Sequence, residues 1–329
     1  MLTVETSGLK GITSFTTYDS GELKDCKLEE YNLIHTKYGD LVPQYGDPGF
    51  RKKQLAALSF YKSGKIKSIS LEQQTEISTS IGAFPAELVT FFEDKSINSL
   101  FPLNGQINGF WSEEEEEGEL AQKFHFSFPF GDFYAKIIGL RFYPDGRVRS
   151  LILWPKERII IDTPAGKMPV RIGFKLFEDG SIESVEPAEP YKIETPIGSI
   201  NAYDADALGI DADKNSVCFD KRCRLTSLCT FDIITVRKKK DAVQKNTSGE
   251  KKIIFPTLRP GLTTEFEKVP IKLIFDADTV RIGGTKATDY NDGDKAANYK
   301  IAECTFLIMR GNYTETKSCE NCSSCNGCM

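Results

Sequence analysis

"YPDGRVRSLIL", Tyr143 to Leu153, decides the fold. Asp145-Gly146 sits between alternating apolar runs, and a glycine there accepts the positive φ that a tight hairpin turn demands. After the turn, Val148, Ser150 and Ile152 share one face of a strand, with the Arg and Leu side chains on the other. The stretch therefore reads as a β-hairpin.

The same phrase recurs along the chain. It appears as "YDSGELKD" from Tyr18, "YKSGKIKS" from Tyr61, "FEDKSINS" from Phe92 and "FEDGSIES" from Phe177, with a degenerate copy, "FDKRCRLTS", from Phe219. A second phrase follows some copies: "TKYG" at Thr36, "TSIG" at Thr79, "TPAG" at Thr163 and "TPIG" at Thr195. The interval from aromatic to Thr is about 18 residues, stretching once to about 20, which marks one structural unit. The copies also group at a higher level: the run from Ser59 to Pro102 parallels the run from Arg141 to Pro187, and duplication is the economical reading. "PAELVTFF" from Pro85 has a helical look, but its counterpart "PVRIGFKLF" alternates, so both are expected to be strands. A hairpin cannot bury its apolar face alone, so successive hairpins should stack or extend into one twisted sheet.

"YKSGKIKSI", "YPDGRVRSL" and "FEDGSIESV" resemble the MORN repeat, and more closely its bacterial variant, over roughly residues 11–230. The second Gly-x-Gly of the standard repeat is missing and the units are longer. The resemblance implies an extended all-β array used for interactions, with no catalytic residues to carry over. The expected fold is mostly β: repeated hairpins forming an extended twisted sheet or solenoid, then a smaller C-terminal β segment and a Cys-rich tail. The expected division is 1–237 for the repeats, 238–252 for a charged linker or loop, 253–313 for the C-terminal β segment and 314–329 for the tail. Within it, "SEEEEEGELAQK" from Ser112 reads as a mobile acidic loop and "TDYNDGDKAANYK" from Thr288 as another loop. Pro270 to Gly284 and "ECTFLIMRGNY" from Glu303 read as strands.

The net charge of −5 argues against a general nucleic-acid binder, because neutralising phosphates needs a basic surface. "RKKKDAVQK" from Arg237 reads as a solvated linker. The chain shows neither a signal-peptide pattern nor a run of about 18 apolar residues, so no membrane insertion is expected and the cytoplasm is the expected compartment. A reducing compartment turns attention from disulfides to thiols and metal ligation for the nine cysteines.

Little else suggests chemistry. His35 and His125 lie far apart, both on expected strands, without ligand spacing or a nucleophile beside them. Asp204, Asp206, Asp211 and Asp213 suggest calcium, but the string departs from the EF-hand loop and reads as an exposed Asp-rich turn. No P-loop or strand-linked dinucleotide fingerprint occurs, and "RIGGTKAT" from Arg281 reads as a turn. A polymer-active enzyme would need two carboxylates facing a cleft, and no such pair stands out.

The remaining signal is "SCENCSSCNGCM", which ends the chain. Cys319, Cys322, Cys325 and Cys328 recur every third residue, and thiolates at that spacing suit Zn or an iron–sulfur cluster. Four ligands within ten residues would wrap an ion tightly, so Cys304 on the preceding strand is the nearest remote ligand; Cys218, Cys223 and Cys229 form another group. The reading is a non-enzymatic interaction protein, its partner a protein, with a metal- or cluster-binding tail. The alternative is a redox or metallocentre accessory protein whose tail is the working site.

Overall fold

A computed structural model describes residues 8–47, 49, 51, 56–104, 112–207, 212, 214–239, 251–260, 266–284 and 296–311. The four tail cysteines, and Asp211 and Asp213 of the Asp-rich turn, lie outside the described residues. The chain is mostly β, as its alternating pattern requires. It divides into two compact units, Met1–Glu186 with Leu208–Asn215, and Pro187–Ala207 with Ser216–Met329.

The first unit is built from β1 (Ile12–Thr17), β2 (Leu23–Leu28), β3 (Ile34–Thr36), β4 (Gly39–Leu41), β5 (Leu58–Phe60), β6 (Ile66–Thr79), β7 (Gly82–Phe91), β8 (Ile97–Phe101), β9 (Lys123–Phe128), β10 (Gly131–Phe142), β11 (Val148–Leu153), β12 (Ile159–Thr163), β13 (Gly166–Leu176) and β14 (Ile182–Pro187). Antiparallel pairing runs β1–β2, β2–β5, β5–β6, β6–β7, β7–β8, β8–β10, β10–β11 and β11–β13. Pro85–Phe91 of "PAELVTFF" lie in β7 and are strand, as the counterpart in β13 indicates.

Each aromatic-x-x-Gly phrase closes the same way. The aromatic N–H donates to the carbonyl four residues on, and the N–H at the glycine position donates back to the aromatic carbonyl. This holds at Tyr18, Tyr61, Phe92, Tyr143 and Phe177. The fourth residue is left-handed in every case: Gly21, Gly64, Lys95, Gly146 and Gly180 have φ of 94°, 81°, 68°, 88° and 84°. Lys95 pays a steric penalty that its glycine counterparts avoid, since a Cβ crowds the carbonyl in this region. Lys95→Gly is therefore expected to stabilise the protein by about 1 kcal/mol, read as a higher urea midpoint. A lowered midpoint would mean that the Lys95 side chain contributes more than its backbone costs.

The Thr-x-x-Gly hairpins share a second pattern. The Thr hydroxyl donates to the glycine carbonyl and accepts the N–H two residues on, at Thr36, Thr79 and Thr163. Four long strands, β6, β7, β10 and β13, change register or partner along their length. β6 and β7 pair at Ser68–Ser70 and again at Thr75–Thr79, with a register shift between. β10 pairs with β9 over Gly131–Lys136 and with β11 from Ile137. β13 pairs with β12 up to Val170 and with β11 from Gly173, turning on Ile172 (φ 65°) and Gly173 (φ 127°). At the TSIG tip, Ser80 Oγ donates to Gly146 O in the YPDG turn at 2.7 Å, so this arm folds back across the sheet.

The phenylalanines fill the space beneath the arms. Phe84 stacks on Phe126 at 5.8 Å, Phe126 meets Phe133 at 5.6 Å, and Phe128 and Phe130 meet Phe174 edge-on at 5.4 and 5.1 Å. β11 is consequently buried on both faces: Ser150 and Ile152 on one, Leu151 and Leu153 on the other. Full burial of each aliphatic side chain contributes roughly 1.5–3 kcal/mol.

The acidic run is not the mobile loop expected from its charge. Glu113–Glu115 and Glu116–Leu120 form a helical turn in which Glu116 and Glu117 are buried. Partners supply the reason. Arg51 takes up Glu116, and Lys136 Nζ donates to Glu117 O at 2.6 Å.

The second unit contains β15 (Tyr191–Thr195), β16 (Gly198–Ala202), β17 (Val217–Phe219), β18 (Leu225–Thr230), β19 (Ile233–Lys238), β20 (Lys251–Ile254), β21 (Thr257–Pro260), β22 (Phe266–Val269), β23 (Ile271–Phe275), β24 (Thr279–Gly284), β25 (Ala297–Lys300) and β26 (Cys304–Met309). The TPIG phrase closes β15–β16 with the same Thr195 hydroxyl bridge. β18 pairs with β23, β23 with β24 and β24 with β25, while β19 lies between β20 and β26.

Three expected features change here. Arg237 and Lys238 belong to β19 and Lys251 and Lys252 to β20, so the charged run joins two paired strands within one unit. "RIGG" lies in β24, as the strand reading of Pro270 to Gly284 has it and not the turn reading of "RIGGTKAT"; Ala297–Lys300 of the expected loop is β25. The degenerate copy is displaced by one residue: its bonds close on Asp220, not Phe219, and Cys223 takes the left-handed position at φ 61°. Asp220 replaces the aromatic because its carboxylate accepts the N–H groups of Arg222 and Arg224.

Candidate interaction surface

The strand order of the first unit dictates where its aromatic turns lie. Successive hairpins return to one edge of an antiparallel sheet, so neighbouring turns come side by side. Tyrosine hydroxyls tie them together. Tyr18 Oη donates to Phe60 O at 2.9 Å, Tyr61 Oη to Phe91 O at 2.8 Å, and Tyr143 Oη to Leu176 O at 2.7 Å. Each accepting carbonyl immediately precedes the aromatic of the next turn. Phe92 has no hydroxyl to make the corresponding bond, and the β8–β10 pairing, Leu140 to Leu100 and Arg141 to Ser99, carries the array past it.

The aromatic of each turn is half-buried, while its next two residues are exposed: Asp19-Ser20, Lys62-Ser63, Glu93-Asp94, Pro144-Asp145 and Glu178-Asp179. Backbone geometry repeats and the tips differ. Carboxylates dominate them. Hydrogen bonds from Ser96 hold Asp94 below the usual carboxylate range, and those from Arg147 do the same for Asp145. Contacts between tips include Ser63 Oγ to Glu93 Oε1 at 2.8 Å and Arg147 to the Glu178 carbonyl. Tyr61 is raised by burial first and then by Glu93, so its hydroxyl stays protonated and donating.

Comparison with protein-family models, curated proteins and solved structures found no match.

The expected metal residues are placed as follows. Cys304 is buried on β26, opposite Lys238 in the register. Burial, with Glu303 beside it, pushes its thiol pKa up, while Lys238 and Lys239 pull the other way; metal binding needs the thiolate. Cys218 lies on β17 and Cys229 on β18, one half-buried and one buried, and Cys223 is exposed in its turn. Cys26 on β2 is pushed up to about 11 by burial. Among the described residues, no group of three or more His, Cys, Asp or Glu is placed to hold a metal ion. Asp206 is paired with Arg259 at 3.2 Å, and Asp204 accepts the Asp206 N–H, which is the behaviour of an Asp-rich turn.

Both histidines are on strands, as expected, and each meets an Asp across its hairpin: His35 Nδ1 to Asp40 at 2.6 Å and His125 Nε2 to Asp132 at 2.9 Å. Both pairs are exposed, where such contacts contribute little.

Two polar sites carried no sequence signal. Arg51 forks onto Glu87 at 2.9 and 2.8 Å and onto Glu116 at 2.9 and 2.7 Å, and Glu87 also accepts the Asn104 N–H at 2.8 Å. Burial works against the Arg51 charge, but the two carboxylates outweigh it and raise its pKa. In the second unit, fully buried Asp232 accepts the N–H groups of Asn201 and Gly311, at 2.8 and 2.9 Å, and the Asn201 side-chain amide. Each residue is an ordinary surface type whose partner is distant in sequence. Among the described residues no helix is long and apolar enough to cross a membrane.

Proposed function

We propose that this chain is a non-enzymatic, MORN-like β-hairpin repeat protein of the cytoplasm. Its row of turns docks another protein, and its tail, Cys319, Cys322, Cys325 and Cys328, binds Zn or an iron–sulfur cluster. The observation that supports the docking reading is the combination of one fixed turn geometry with differing exposed tips along a single edge. A rigid scaffold that presents variable loop residues suits recognition. The carboxylate-rich tips suit a basic segment on the partner. The tail reading rests on thiolate chemistry and spacing alone.

One comparison tests both parts. Protein prepared anaerobically is analysed for metal and used to capture partners, alongside a Glu93→Lys/Glu178→Lys variant and a chain truncated after Lys317. The expected result is metal in full-length protein only, and a partner lost from the charge-reversed variant but kept by the truncated chain. A partner kept by the charge-reversed variant and lost on truncation would make the tail the working site instead. Metal-free full-length protein would refute the tail reading.

A further inference from the structure

β1 is an unusual strand. All six of its residues are exposed, including Ile12 and Phe15, the latter at 63 %. It adds nothing to the core, and among the described residues β2 is its one neighbour. Such a strand should fray, yet both ends are fixed. At the start, Asn32 is 7 % exposed; its Oδ1 accepts the Lys10 N–H at 2.9 Å and its Nδ2 donates to the Lys10 and Glu30 carbonyls at 3.0 and 2.8 Å. Gly11 O accepts the Glu29 N–H at 2.8 Å. At the other end, the Tyr18 turn is tied to Phe60. Thr16 Oγ1 donates to Asp25 on β2, which holds the middle.

The geometry points to β1 as the contact between two copies of this chain, paired antiparallel edge to edge. An edge strand offers a row of backbone donors and acceptors, and proteins that avoid such pairing place charges or proline on it. "ITSFTT" has neither. A strand that meets its own copy across a two-fold axis sets each side chain near its duplicate, so a charge there repels itself. The adjacent strand β2 carries Lys24, Asp25 and Lys27; β1 carries no charge. Fixing the strand in advance removes much of the ordering cost of association. This pairing is independent of what the turn tips bind.

Sedimentation velocity over a concentration series on the full chain tests it, with Phe15→Lys and Phe15→Glu variants, singly and as an equimolar mixture. Phe15 is outside the core, so both variants should keep the far-UV circular dichroism of the parent. The expected result is a monomer–dimer equilibrium for the parent, weakened at least about tenfold in each single variant, and dimer restored in the mixture. A parent that stays monomeric throughout, or a dimer indifferent to both variants, overturns the proposal. So does a monomer that dimerises only when residues 1–7 are removed, since that assigns the edge to the chain's own N-terminal segment.

Discussion

Arg51→Ala is expected to cost about 3–5 kcal/mol of stability, the range for removing one member of a buried ionic cluster. The guanidinium satisfies two carboxylates whose side chains are 7 % and 3 % exposed, Glu87 on β7 and Glu116 in the acidic helical turn. Without it, two like charges remain in a poorly solvated site. The cluster also joins Arg51 and the acidic turn to the sheet, so the acidic turn should loosen with it. Equilibrium urea unfolding measures the loss, and hydrogen exchange at Glu113–Leu120 should rise in parallel. A companion variant, Arg51→Met/Glu87→Gln/Glu116→Gln, leaves no charge to desolvate and should lose markedly less. An equal loss in both would show that shape, not charge, holds the acidic turn.

The second large effect is expected at Gly173. A Cβ there would lie 1.8 Å from the Leu151 carbonyl oxygen, on backbone with φ +127°. Neither atom can yield, because Leu151 is fully buried in the middle of the sheet and Gly173 is where β13 passes from β12 to β11. Gly173→Ala should cost about 4 kcal/mol or more, beyond the range of most single substitutions. Gly180→Ala provides the contrast. Its φ is also positive, at +84°, but nothing lies within 4 Å of the added carbon, so only the conformational penalty of roughly 1–2 kcal/mol applies. Similar unfolding midpoints for the two would refute the close-approach argument.

These positions mark where sequence reasoning stopped. The turns were legible because Asp-Gly and Thr-x-x-Gly encode their geometry within a few residues. The folding back of the arms was not. It depends on shifts at Ser70–Thr75, Ile137–Gly139 and Ile172–Gly173, where no turn residue pattern announces a bend. The acidic run misled for a related reason: its charge suggested solvent, whereas its environment is set by Arg51, 65 residues away from Glu116. Phe219 misled locally, since an aromatic stood where the phrase wanted one, but Asp220 made the better turn. Of the expected site residues, Cys304 is on a strand as its alternating context implies, while its burial has no signal in the local sequence.

The tyrosine bonds between turns have a further consequence, for how such a chain can change length. Each hydroxyl reaches only the carbonyl ahead of the next aromatic. An inserted copy that carries its own tyrosine therefore regenerates the join it interrupts, and deletion of a copy restores the old one. A copy with phenylalanine, like that at Phe92, leaves the next step to strand pairing alone. Growth by tandem copying thus requires no compensating change elsewhere, and the choice between tyrosine and phenylalanine sets how firmly each new segment is fastened to its neighbour.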